Sequence, residues 1–90
     1  KINELFEIIQ NRLTTNPEQS YTARLAAMGE DEVIKKVGEE AVEVVLAASR
    51  QGDARLISEL ADLTYHTLVL LATRGLKPDD VLEELEKRRK

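Results

Sequence analysis

Residues 31–74 read DEVIKKVGEEAVEVVLAASRQGDARLISELADLTYHTLVLLATR, and this stretch decides the fold class. Unrolled at roughly 100° per residue, its first part is one long helix, capped by Asp31 and running to about Gln51. Ile34, Val37, Ala41, Val44 and Ala48 share one face, and Val42 and Leu46 project from nearly the opposite side. Gly52 stops this helix and Asp53 offers a new cap. A second helix then runs from Ala54 to about Arg74 and stops at Gly75. Leu60, Ala61, Leu63, Leu68, Leu70, Leu71 and Ala72 cover most of its circumference. Helices apolar on several sides are buried helices, and the short link between these two folds them back antiparallel.

The flanks read the same way. Ile2 to about Leu13 is helical, with Leu5, Phe6, Ile9 and Leu13 on one face, and Thr14-Thr15-Asn16-Pro17 ends it. Ser20 caps a short helix over Tyr21–Met28, and Gly29 suits its C-terminus. Lys77-Pro78-Asp79-Asp80 opens a last helix, with proline at its first position and acids in its first turn. Lys87-Arg88-Arg89-Lys90 closes it as a solvated end, cations beside the negative pole of the helix dipole. No strand pattern, repeat or low-complexity tract interrupts this order. The expected fold is all-α: one domain over residues 1–90, a helical bundle of two long antiparallel helices plus two or three shorter ones.

Composition agrees and excludes several functions. Hydrophobic residues are 42% and charged residues 33% of 90, too apolar for a disordered chain. Phe6, Tyr21 and Tyr65 are the only aromatic residues, so the core is aliphatic. The absence of cysteine removes disulfides, thiolate metal sites and cysteine nucleophiles. With 13 Lys plus Arg against 17 Asp plus Glu, the net charge is -4. An acidic chain with almost no aromatics is a poor binder of nucleic acid. No apolar run reaches membrane-spanning length and no signal peptide is visible, so the expectation is a cytoplasmic protein with no membrane partner.

Both long helices carry a polar stripe: Lys36, Glu40, Glu43 and Ala47 on the first, Arg55, Glu59, Asp62 and His66 on the second. Glu39 lies off the first stripe, nearer Val42. Each stripe holds two acids at i and i+3, which are neighbours on a helix surface. Ionised carboxylates in a buried stripe cost several kcal/mol each, roughly, unless something neutralises them. Two such pairs on adjacent antiparallel helices can converge on one point, where four hard oxygen donors suit magnesium or manganese. The competing reading has the acids facing water, paired with Lys36, Arg55 or His66. Gly38, inside the first long helix at a cost of roughly 1 kcal/mol relative to alanine, admits either a close helix approach or room for a ligand. His66 is the only histidine and reads as a core or supporting residue. A di-iron centre of the ferritin kind is excluded, because it needs two Glu-x-x-His pairs.

Glu39-Glu40-Ala41-Val42-Glu43 followed, after 15 intervening residues, by Glu59-Leu60-Ala61-Asp62 resembles the MazG-like all-α nucleoside triphosphate pyrophosphohydrolases. The wider context is sharper. Ser20-Tyr21-Thr22-Ala23-Arg24-Leu25, Lys35 through Val45, and Ala61-Asp62-Leu63-Thr64-Tyr65-His66 are similar to the phosphoribosyl-ATP pyrophosphatase family over nearly the whole chain. That resemblance implies an all-α homodimer that hydrolyses phosphoribosyl-ATP to phosphoribosyl-AMP and pyrophosphate with magnesium, in histidine biosynthesis. Carried over by motif position, Glu40, Glu43, Glu59 and Asp62 are metal ligands, with manganese a possible substitute ion. Glu39 holds metal or positions water. Ser20, Tyr21, Thr22 and Arg24 contact substrate.

The chemistry expected of such a site is attack of water on the α-phosphorus with pyrophosphate leaving. Glu39 or Glu43 orients or deprotonates the water. Lys36 contacts phosphate or pairs with a stripe acid, and Tyr21 stacks on adenine or packs. Two other classes share parts of the pattern. A relative acting on other nucleoside triphosphates would keep the acids and differ in the Ser20–Arg24 segment. A non-enzymatic dimerising helical module would need no metal.

Overall fold

The computed structural model describes residues 1–89. It contains five α-helices: α1 (Ile2–Leu13), α2 (Tyr21–Ala27), α3 (Glu30–Arg50), α4 (Asp53–Thr73) and α5 (Pro78–Lys87), with a 3₁₀ turn over Pro17–Gln19 before α2. The all-α expectation holds, and the elements fall within a residue or two of their predicted bounds. The signals that end and restart the chain act as read at α1 and α2. Thr14 and Thr15 hydroxyls donate to the Asn11 carbonyl at 3.1 and 3.2 Å. Asn16 Oδ1 accepts from the Glu18 amide at 2.9 Å and opens the 3₁₀ turn. Ser20 Oγ accepts from the Ala23 amide at 3.2 Å, capping α2.

The caps of the two long helices differ from expectation. Gly29 and Gly52, not Asp31 and Asp53, are the N-cap residues. Their backbones sit at φ 103°, ψ 163° and φ 86°, ψ 171°, a region essentially restricted to glycine. The chain can therefore reverse at the glycine itself, and each helix starts immediately after it. The acids Glu30, Asp31 and Glu32 then lie in the first turn of α3, where they meet the positive end of the dipole.

Phe6, Ile9, Leu25, Val33, Leu68 and Val69 form the buried core, with Leu5, Tyr65, Leu70, Leu71 and Ala72 packed against it. It is built by α1, α2, the start of α3 and the second half of α4. The α3–α4 hairpin extends beyond it. On α3 the side chains withdrawn from solvent include Val33, Lys36, Val37, Glu40, Val44 and Ala47. On α4 they include Leu56, Glu59, Leu63, His66 and Leu70. Both sets recur at three- and four-residue steps, the spacing of a packed helix–helix seam. The expected α3 face is thereby corrected: Val37 and Val44 are half-buried, but Ile34, Ala41 and Ala48 are exposed. A helix apolar on several sides does not reveal which side meets its neighbour, and the contact is rotated so that the polar stripe itself enters the seam.

At the chain's other end, the Lys77 amide donates to Asp80 Oδ2 at 2.9 Å and Pro78 is buried at the start of α5. Arg88 and Arg89, just past the end of α5, pair with its Glu84 and Glu86 at 3.1 Å and remain exposed, as a solvated helix end should. Lys90, the last residue of that basic run, lies outside the described residues. No helix among the described residues is long and apolar enough to cross a membrane.

Candidate carboxylate centre

Glu40 of α3 and Glu59 and Asp62 of α4 each offer a carboxylate oxygen, and these atoms lie within 4.8 Å of one another. Glu59 is buried, at 4% exposure. Glu40 is half-buried and Asp62 is exposed, so the cluster opens to solvent on one side of the seam. Counter-charges are present but distant. Lys36 Nζ is 3.7 Å from Glu40 Oε1, and Arg55 Nη2 is 3.5 Å from Glu59 Oε1. Both separations exceed a charge-assisted hydrogen bond, and among the described residues no cation lies within 4 Å of Asp62. Burial holds the Glu59 carboxyl above the ordinary carboxylate range; Arg55 opposes this, while Asp62, Glu43 and Glu40 push it further up. An oxygen-only, converging and incompletely neutralised donor set fits a hard divalent cation.

The remaining candidates are distributed around this centre. Glu43 is exposed and stands outside the converging trio, though its charge reaches Glu59. Glu39 is also exposed, and its charge reaches the Tyr21 hydroxyl instead. The two candidate water-handling acids are i, i+4 neighbours on the exposed surface of α3. Lys36 makes the ion pair weighed for it, with Glu40. His66 pairs with none of the stripe carboxylates. Its Nδ1 lies 2.7 Å from the Asp62 carbonyl oxygen, and its Nε2 lies 2.8 Å from the Tyr21 hydroxyl.

Within the Ser20–Arg24 segment the side chains divide by helical position. Ser20 and Thr22 are buried. Ser20 caps α2, and the Thr22 hydroxyl is hydrogen-bonded to the Tyr65 hydroxyl. Tyr21 and Arg24 are exposed, Arg24 donating to the Pro17 carbonyl at 3.3 Å. Tyr65 was not singled out from the sequence. Its adjacency to His66, at the end of a stretch carrying Asp62, was the signal available.

Gly38 is exposed, and a Cβ built on it meets nothing within 4 Å. A close approach of helices within the subunit is not the reason for this glycine. Gly38→Ala is therefore expected to raise the stability of the fold by about 1 kcal/mol through helix propensity. A thermal melt reads this directly, and a lowered melting temperature would show that the position is occupied by something outside the subunit.

A cleft of about 310 Å³ lies away from the carboxylates, lined by Ile2, Leu68, Leu71, Pro78, Val81 and Leu82. Lys1, Asn3 and Thr67 complete its lining, and none of the clustered carboxylates belongs to it.

Fold and centre together define an all-α protein of a particular kind: a helical hairpin whose two arms bring carboxylates to one point beside cationic side chains. Comparison with known proteins gives the family. Residues 2–89 match the phosphoribosyl-ATP pyrophosphohydrolase family, and the chain belongs to it. It is 54% identical to the phosphoribosyl-ATP pyrophosphatase of Pelotomaculum thermopropionicum over 98% of this chain and 90% of that one. Identity to the protein of the same name from Metallosphaera sedula is also 54%, over 99% and 96% of the two chains. For that of Saccharolobus solfataricus it is 47%, over 99% and 95%.

Proposed function

We propose that this chain hydrolyses phosphoribosyl-ATP to phosphoribosyl-AMP and pyrophosphate, the second step of histidine biosynthesis, as a magnesium-dependent cytoplasmic enzyme. The observation that carries the reading is the convergence of Glu40, Glu59 and Asp62 in a chain matched to this family over almost its entire length. These three would hold the cation, with Glu43 as the fourth carboxylate the motif supplies. Bound there, magnesium or manganese would neutralise phosphate charge and ease the departure of pyrophosphate.

The chain's own residues do the rest. Glu39 or Glu43, both exposed beside the centre, orients or deprotonates the water that attacks the α-phosphorus. The bond from that phosphorus to the bridging oxygen of the leaving pyrophosphate breaks as the new P–O bond forms. Lys36, loosely paired with Glu40, is placed to exchange that partner for a phosphate oxygen. Arg24 offers a second, exposed cation beside the half-buried Lys36, and the half-exposed Tyr21 ring a surface for the base. Pyrophosphate release is the deciding measurement, comparing phosphoribosyl-ATP with ordinary nucleoside triphosphates, with and without magnesium. Metal-dependent release selective for phosphoribosyl-ATP is expected. Equal turnover of ordinary triphosphates would indicate the pool-cleaning relative, and no turnover of either the non-enzymatic module.

The enzyme is further proposed to act as a homodimer. Ile34, Val42, Val45 and Leu46 on α3 and Ile57 and Leu60 on α4 are all more than 40% exposed in the subunit. So much aliphatic surface on one hairpin marks an association site, and a second copy of the same hairpin is its simplest cover. Light scattering is expected to give twice the subunit mass of 10.1 kDa; the subunit mass itself at micromolar concentration would reject the dimer.

A further inference from the structure

His66 is buried at 7% exposure, and the reaction as proposed assigns it no part. Its surroundings define which tautomer the neutral ring adopts. The Asp62 carbonyl oxygen can only accept, so Nδ1, 2.7 Å away, carries the proton. In the neutral ring Nε2 is then the acceptor, and the Tyr21 hydroxyl at 2.8 Å donates to it. Burial keeps that hydroxyl above its usual range against the pull of Lys36, so it is protonated and able to donate. The imidazole also stands edge-on to both tyrosine rings, with centroids 5.8 Å from Tyr21 and 5.6 Å from Tyr65 and interplanar angles of 84° and 79°. Thr22 and Tyr65 make a second link between the same two helices. The first turn of α2 is thereby fastened to α4 at Tyr65 and His66, one helical turn from Asp62, whose carboxylate joins the acidic trio.

We propose that His66 is a positioning residue: donating to the Asp62 carbonyl and accepting from Tyr21, it holds the Tyr21 ring and hydroxyl at the rim of the carboxylate centre, so that nucleotide and phosphates are gripped in one register. Tyr21 is 42% exposed and carries the contact with the nucleotide. His66 acts through it and need not touch substrate. The kinetic consequence rests on the proposed reaction; the hydrogen-bond pattern does not, so the two can fail separately.

Because His66 is the only histidine of these 90 residues, ¹⁵N NMR of the labelled chain reads its ring without ambiguity. A proton on Nδ1 and a lone pair on Nε2 are expected. Tyr21→Phe, which removes one oxygen from a half-exposed side chain, should shift the Nε2 resonance and leave Nδ1 nearly unmoved. A proton on Nε2 with a bare Nδ1, or an Nε2 signal indifferent to Tyr21→Phe, would overturn the proposal whatever the enzyme's substrate. In kinetics with phosphoribosyl-ATP, Tyr21→Phe and His66→Asn should each raise KM about three- to tenfold, the size of one lost hydrogen bond, with kcat less affected. The double variant should be no worse than the poorer single one. His66→Gln, whose amide reaches the Nε2 position, should recover most of the loss. Multiplying KM effects in the double variant would show that the two residues act independently and reject the linkage.

Discussion

Glu40→Gln and Asp62→Asn are each expected to lower pyrophosphate release from phosphoribosyl-ATP by more than about a hundredfold while helix content stays unchanged. Even groups that merely support metal ligands are worth roughly 10–100-fold, and these two carboxylates belong to the converging trio itself. The fold should tolerate both changes. Each amide preserves the shape of the side chain, and Asp62 is exposed. Glu40 loses only a 3.7 Å pairing with Lys36, the kind of partly exposed ion pair worth about 0–1 kcal/mol. Loss of turnover with intact circular dichroism therefore separates chemistry from folding. Full activity of either variant at saturating magnesium would reject the metal assignment.

The second large effect is on stability, and its sign depends on the cation. The Glu59 carboxyl is held above its ordinary range, chiefly by burial and then by the charges of Asp62, Glu43 and Glu40. A carboxyl raised in the folded state binds more protons there than in the unfolded chain. In chelator, stability therefore falls as pH rises from the ordinary carboxylate range through the raised value. At neutral pH the ionised Glu59 opposes folding. Glu59→Gln removes that charge and sacrifices only a 3.5 Å pairing with a largely exposed Arg55. The variant is expected to melt above the wild type in chelator, with the gap closing below the ordinary carboxylate range.

With magnesium the order should reverse. Ligand at 100 times its dissociation constant stabilises the native state by about 2.7 kcal/mol, or roughly 10–20 °C in a domain of this size. Glu59→Gln should lose most of that rise. Glu43→Gln should behave in the same direction with smaller amplitude, because Glu43 is exposed and outside the trio. Melting curves at equal protein concentration, with and without magnesium, read all of this. A destabilised Glu59→Gln protein in chelator, with its magnesium response unaltered, would reject a convergent site.

The stripes were legible in the sequence because both the i, i+3 spacing of the acids and the apolar positions around them are properties of a single helix. Convergence required only that two consecutive helices lie side by side, and the short break at Gln51–Gly52 already implied that. The caps were misread by one or two residues because Asp31 and Asp53 are good capping residues in general. The adjacent glycines, at φ 103° and 86°, took the position first. Ser20 was legible both as a cap and as part of a motif, and the structure assigns its hydroxyl to the cap.

Helix existence, helix order and the pairing of Glu40 with the Glu59–Asp62 turn came from local periodicity, which a chain carries in its own spacing. The rotation of α3 against α4 did not. It set Val33, Glu40, Val44 and Ala47 in the seam, left Ile34, Ala41 and Ala48 outside, and separated Glu43 from the trio. A helix apolar on several sides offers many seams of similar burial, and the choice among them is made by packing against α1 and α2. The same packing joins residues 45 positions apart in the Tyr21–His66 hydrogen bond. No periodicity encodes that contact, because it depends on where the first turn of α2 comes to rest on α4.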